Sequence, residues 1–204
     1  MKNEKKHLVI GLTGGIASGK STVTRFLKET GARVIDADKL GHKVYEPGQP
    51  GHGQVLGAFG SDLLADDGRI DRRALGAKVF GSETRMRQLT DIVWPQIRNL
   101  ALEQIESIRL EDPKAVIVLE AAVLLEASWQ DLVDEVWVVR VDPKSAIKRL
   151  CQRNGFSREE AQARLDSQMT NDEREAYADR VIDNSRTVDD LRLLVRKHWA
   201  ALQV

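Results

Sequence analysis

The sequence predicts an α/β fold, a five-stranded parallel sheet with helices on both faces. Three observations carry this. Five short runs rich in Val, Ile and Leu, at residues 8–12, 33–35, 115–119, 135–141 and 180–182, are separated by helical patterns, the alternation expected of parallel strands buried between helix layers. The first run leads into Gly14-Gly15-Ile16-Ala17-Ser18-Gly19-Lys20-Ser21, the phosphate-binding pattern Gly-x-x-x-x-Gly-Lys-Ser. The segment after that loop has apolar residues at Val23, Phe26 and Leu27, a helical spacing. Strand, glycine-rich loop and helix is the setting in which this motif binds phosphate.

The elements follow in order. Helix 20–29 opens at Lys20 and is closed by Gly31, a residue free to take the left-handed conformation that ends helices. Strand 33–35 runs into Asp36-Ala37-Asp38 and a helix at 39–45. Residues 41–112 contain little of core-strand type. They begin with a Pro/Gly-rich loop at 46–51 and continue as helices at 71–79, 83–93 and 96–110. This reads as an inserted helical lobe, with Trp94-Pro95 falling between two of its helices. Strands 115–119 and 135–141 return to the core. Asp142-Pro143 starts helix 143–153 with a capping Asp and Pro at the first helical position. Ser157-Arg158-Glu159-Glu160 is a capping box opening helix 157–168. Residues 152–178 are polar and Arg-rich, with Arg153, Arg158, Arg164 and Arg174, and read as a lid. Strand 180–182 and helix 187–201 complete a single domain over 1–204, with core parts at about 7–40, 113–151 and 179–204.

Composition narrows the function. The 204 residues carry 31 basic and 31 acidic side chains, so no general nucleic-acid or membrane-surface role is expected and anion binding must be local. No apolar run reaches membrane-spanning length. The polar start at residues 1–7 lacks the apolar stretch of a signal peptide. The single Cys151 excludes an intrachain disulfide and fits a reducing, cytoplasmic compartment; its helical setting makes it a packing residue. The four His residues form no ligand cluster with Cys or acidic partners, and Trp137, within a strand, belongs to the core.

The loop assigns its own chemistry. Gly14, Gly15, Ile16, Ala17, Ser18 and Gly19 turn the backbone so that its N–H groups meet phosphate oxygens. Lys20 supplies positive charge to the β- and γ-phosphates, and the Ser21 hydroxyl suits Mg²⁺. Ser21 and Thr22 stand at a helix N-terminus, which favours anions. Asp36 and Asp38 follow the second strand, where ligands bind in open α/β sheets. Either is a candidate proton acceptor for a substrate hydroxyl, with helix capping the competing role and Asp38 the stronger catalytic candidate. Arg149 and Arg153 lie four apart on one helix face with no acidic residue three or four positions away, which suits them to phosphate. Glu120, ending the third strand, is placed either to support Mg²⁺ through water or as an ordinary strand-end carboxylate. Asp183-Asn184-Ser185 is a turn that is able to present Asn184 to an adenine edge. Trp94 is a candidate pocket residue or a packing residue of the lobe. Asp38-Lys39-Leu40-Gly41 also fits the D-x-x-G element of GTPases, but it follows Lys20 too closely and no Asn-Lys-x-Asp guanine signature is present.

Taken together, the chain resembles the dephospho-coenzyme A kinases. The resemblance rests on residues 10–15 and 34–38, on Pro47-Gly48, Phe59-Gly60, Asp67-Gly68-Arg69-Ile70-Asp71-Arg72, Val79-Phe80 and Pro95-Gln96-Ile97-Arg98, and then on Arg149-Leu150, Arg153, Ser167-Gln168 and Asp183-Asn184-Ser185. Residues 91–95, 120–127 and 167–169 are most similar to the kinase domain of the bifunctional animal coenzyme A synthase. Trp94 stands where bacterial members usually have His, and Ala121 where they have Asp; both replacements occur in the animal-type domain. A monofunctional kinase, without the nucleotidyltransferase half of that enzyme, is expected.

The resemblance implies a P-loop kinase fold with an inserted helical substrate lobe and an Arg-rich lid. It implies ATP as co-substrate, Mg²⁺, and dephospho-coenzyme A phosphorylated at its ribose 3′-hydroxyl. The chain is expected to be a monomer or weak homo-oligomer. By resemblance, Gly14 to Thr22, Arg149, Arg153 and Asn184 bind ATP, while Asp38, Trp94 and Arg98 meet the acceptor between core and lobe. Lys20 and Arg149 stabilise the transferring phosphoryl. Another small P-loop kinase, acting on a nucleoside monophosphate, is the main alternative. A nucleotide-hydrolysing regulator is a second, separated from both kinases by whether ADP release needs an acceptor.

Overall fold

The computed structural model describes residues 8–202. Residues 1–7, where the sequence offers no signal-peptide stretch, lie outside the described residues. The five strands are β1 (Val9–Thr13), β2 (Arg33–Asp36), β3 (Ile117–Glu120), β4 (Glu135–Arg140) and β5 (Arg180–Asp183), in the order β2-β3-β1-β4-β5. β1 pairs in parallel with β3 on one side and β4 on the other, and β4 pairs in parallel with β5. β1 is buried along its whole length, which explains its unbroken apolar run. The chain fills one side of β1 before crossing to the other, so the crevice at its carboxyl end is the topological switch point.

The helices are α1 (Lys20–Glu29), α2 (Ala37–Val44), α3 (Pro50–Phe59), α4 (Arg72–Val79), α5 (Glu83–Glu111), α6 (Pro143–Asn154), α7 (Arg158–Asp166), α8 (Asn171–Glu175) and α9 (Val188–Ala200). Short 3₁₀ turns lie at Ser61–Leu63 and Gln130–Leu132. On one face of the sheet, Val23, Phe26 and Leu27 of α1 and Leu191 and Val195 of α9 pack with Ile10, Leu12, Trp137, Val139 and Ile182. Burying apolar side chains of this size contributes about 1.5–3 kcal/mol each.

Two compact units are present. Among the described residues, one comprises residues 8–35 and 105–202, which carry most of the sheet, the other residues 36–104. Within the second unit, Gly41 of α2 packs against Ile97 of α5 so closely that a Cβ at position 41 would come within 3.2 Å of the isoleucine. Lys78 holds the 3₁₀ turn by donating to Phe59 O at 2.6 Å and to Asp62 Oδ1 at 2.7 Å.

Several expected boundaries change for local reasons. The break at Trp94-Pro95 does not occur, and α5 runs continuously for 29 residues with Pro95 inside it. Proline forfeits one hydrogen bond and crowds the preceding turn. However, Val93, Ile97, Ala101, Ile105 and Ile108 form a buried stripe at helical spacing through that point, and its burial outweighs the local cost. Within the 46–51 loop, Pro50 is the first residue of α3, a position where its missing N–H costs nothing. α7 ends at Asp166, and the separate helix α8 starts after Thr170, whose capping box with Glu173 was not read from the sequence.

Candidate active site

The glycine-rich loop sits where β1 gives way to α1, and two of its glycines are dictated by contact. A Cβ on Gly14 would overlap the carbonyl oxygen of Val139 on β4. One on Gly19, at φ +94°, would overlap the Asn184 side chain. Between them Ala17 holds a left-handed backbone at φ 59°, a strained state for a residue with a Cβ. Lys20 Nζ folds back to donate to Gly14 O at 2.6 Å, spanning the loop it follows. Ser18 is buried, and its hydroxyl has no hydrogen-bond partner among the described residues.

Side chains from distant elements hold this loop by its backbone. Arg149 of α6 donates from Nη1 to Ala17 O at 3.1 Å and to Ser18 O at 3.5 Å, and from Nη2 to Asn184 O at 2.8 Å. Asn184, just past β5 and buried, donates from Nδ2 to Ser18 O at 2.7 Å. From the polar stretch after α7, Gln168 Oε1 accepts the Ile16 N–H at 2.8 Å. The loop is therefore braced from both sides, consistent with strain persisting only where its surroundings over-determine it.

The sequence-based site residues fall into three groups. Arg149 and Asn184 are brought to the loop, but their observed partners are backbone carbonyls. For Asn184 that partner is Ser18 O, which takes its Nδ2 donor. Arg153, one turn beyond Arg149, is exposed, and its Nε donates to Asn154 Oδ1 at 3.0 Å. Glu120 accepts from the Thr24 hydroxyl at 2.8 Å. Thr24 follows Ser21 by three residues on α1, so the carboxylate lies beside the helix face that carries Ser21.

The third group belongs to residues 36–104. The capping competition there is resolved, because Asp36 caps α2 by accepting the Lys39 N–H at 3.1 Å and pairs with Lys39 Nζ at 3.1 Å. Asp38 lies exposed in the first turn of α2. Trp94 and Arg98 lie four apart on one face of α5, both half-buried, on the helix whose Ile97 meets Gly41.

The family model for dephospho-CoA kinase matches residues 8–190. The chain belongs to this family. It is a phosphotransferase that carries out the ATP-dependent conversion of dephospho-CoA to CoA. It is 45% identical to the dephospho-CoA kinase of Geobacter sulfurreducens over 192 residues, covering 94% of this chain and 97% of that protein. With the enzyme of Symbiobacterium thermophilum the identity is 46%, over 95% of this chain and 80% of that protein. Among solved structures, TT1252 from Thermus thermophilus superposes with a TM-score of 0.80 at 32% identity, covering 98% of this chain and 100% of that one. The dephospho-CoA kinase of Campylobacter jejuni gives 0.63 at 30%, covering 94% and 95%. Among the described residues of this kinase, no helix is long and apolar enough to cross a membrane.

Sequence reasoning missed Thr24 as the partner of Glu120 and Gln168 as a partner of the loop. Gln168 entered only as part of a family pattern. Its contact with Ile16 joins residues 152 positions apart, and no local periodicity signals it.

Proposed function

We propose that the chain transfers the γ-phosphoryl of ATP to the ribose 3′-hydroxyl of dephospho-CoA, with Asp38 receiving the hydroxyl proton. The observation that carries the reading is the phosphate loop, left-handed at Ala17 and bound by Arg149 through Ala17 O and Ser18 O. The loop from Gly14 to Thr22 cradles the phosphates through the backbone N–H groups that its own contacts leave to the ligand, Ile16 N–H being held by Gln168, and through the α1 terminus. As the γ-phosphorus leaves the β–γ bridging oxygen, Lys20 and the remaining N–H groups of Arg149 stabilise charge on the moving group. The 3′-oxygen forms the new P–O bond and its proton passes to the Asp38 carboxylate, leaving ADP and CoA.

Mg²⁺ fits the donors available. Ser21 and Glu120 offer hard oxygen ligands. That suits an ion held by one or two protein groups, water and substrate phosphates. Ser21 would bind it directly and Glu120 through water, and when bound it neutralises charge on the phosphate oxygens. Asn184 keeps the loop and nucleotide in register, and Arg153, one turn beyond Arg149 on α6, is assigned to a phosphate of ATP. Trp94 and Arg98, on one α5 face, are assigned to the acceptor.

The test is product position. With ATP, Mg²⁺ and dephospho-CoA, ³¹P and ¹H NMR should show a new monoester on the ribose 3′-oxygen. Asp38→Asn should bind dephospho-CoA within about threefold of wild type and lose about 10²–10⁴ in kcat. Phosphate on another oxygen, or an Asp38→Asn enzyme at wild-type rate, would overturn the assignment.

A further inference from the structure

The turn between α7 and α8 makes one contact with the phosphate loop that the mechanism above leaves unused. Gln168 Oε1 accepts the Ile16 N–H at 2.8 Å. Ile16 N–H is a donor only, so the carboxamide orientation is fixed: oxygen toward the loop, and the two Nε2 hydrogens away from it. Gln168 also shares the wall of a cavity of about 300 Å³ with Gly15, Ile16 and Ser18, and the Ser18 hydroxyl there is buried without a partner among the described residues. The turn is pinned on its far side, where Asn171 Nδ2 donates to Val141 O at 2.9 Å just beyond β4. The capping box of Thr170 with Glu173 fixes the start of α8 between these two anchors. Gln168 is exposed, so no packing requirement explains a glutamine at this point.

We infer that Gln168 is a nucleotide-binding residue of the lid, with Oε1 held by Ile16 N–H while Nε2 donates to the phosphate chain of ATP. The inference rests on the proposed nucleotide site. It adds that residues 167–171 are part of that site rather than a passive cover. A carboxamide suits this task because it accepts from the loop and donates to an anion at once. A carboxylate accepts equally well from Ile16 but repels phosphate, and this difference separates binding from mere bracing.

The experiment is calorimetric titration of the full-length chain with a non-hydrolysable ATP analogue and Mg²⁺, without acceptor. Failure to phosphorylate dephospho-CoA would therefore leave its result intact. Gln168→Ala should weaken binding about three- to tenfold, the value of one hydrogen bond. Gln168→Glu should weaken it further, and this extra loss should shrink as salt is raised. Both variants should melt within about 2 °C of wild type. Wild-type affinity in Gln168→Glu would overturn the inference, because the bond to Ile16 alone would then account for the residue. So would Gln168→Glu binding more tightly than Gln168→Ala. If Gln168→Glu does not fold, Gln168→Lys decides against Gln168→Ala: lysine donates to phosphate but cannot accept from Ile16, so binding tighter than Gln168→Ala supports the donor role and binding no tighter overturns it.

Discussion

The two ends of strands β4 and β5 are built from similar residue types and do opposite things. At the amino ends, Glu135 of β4 and Arg180 of β5 pair at 2.8 Å. Trp137 donates its indole N–H to the same Glu135 carboxylate at 2.8 Å, and the Arg180 guanidinium lies over the Trp137 ring at 5.5 Å. The Arg180 hydrogen bond holds the Glu135 carboxyl below its usual range, and burial beside Arg180 pushes His198 down. These side chains satisfy one another. At the carboxyl ends, Arg149 and Asn184 instead spend their donors on the backbone of a strained loop, and the Ser18 hydroxyl is left buried with no partner among the described residues. Polar groups that complete one another stabilise a fold. Polar groups that hold a loop open for an anion commit that stabilisation to a substrate.

The largest effect that would break this contrast is at Lys20. Lys20→Ala should lower kcat for dephospho-CoA phosphorylation by about 10²–10³, the usual worth of one preorganised charge on the transferring group. Circular dichroism should be unchanged. A folded variant within tenfold of wild type would remove the loop from the chemistry.

Asn184→Ala sharpens the comparison at the same end. It removes the Nδ2 donor to Ser18 O, a bond worth about 1 kcal/mol. KM for ATP should rise about five- to tenfold, with a smaller change in kcat measured at saturating ATP. A collapse of kcat at unchanged KM would instead place Asn184 in the transition state.

How much of this was legible in the sequence depends on the range of the contact. Gly14 and Gly19 were readable because the motif is contiguous and its demands there are steric. The strands were readable from their apolar runs, and helix starts from Asp142-Pro143 and Ser157 with Glu160, since caps act over three residues. The lack of acidic neighbours singled out Arg149 and Arg153 alike, and nothing local says that Arg149 meets the carbonyls of Ala17, Ser18 and Asn184 while Arg153 turns to Asn154. Pro95 misled because a local rule was applied where a long buried stripe decides. Asp36 and Asp38 could be told apart only once α2 had a fixed first turn.

The smallest effects concern pH at the structural end. Glu135 and His198 both have folded pKa values below their unfolded ones, so each contributes stability that is present at neutral pH and lost on acidification. For His198 the loss begins below about pH 6.5, and for Glu135 below about pH 4.5, their ordinary values. The melting temperature should therefore be flat above pH 7 and fall toward pH 5, and His198→Gln should flatten that part of the curve. A wild-type melting temperature rising between pH 7 and 5 would reverse the sign assigned to His198.

The most direct measurement crosses the two ends. Arg149→Lys and Arg180→Lys make the same exchange, keeping charge but losing the planar fork. Both variants would be assayed for dephospho-CoA phosphorylation and melted under the same buffer. Arg149→Lys should lose about tenfold or more in kcat and melt within about 2 °C of wild type. Arg180→Lys should keep kcat within about twofold and melt about 2–4 °C lower. The reverse pattern, with Arg149→Lys fully active and Arg180→Lys impaired in turnover, would contradict the division between a reactive end and a structural end.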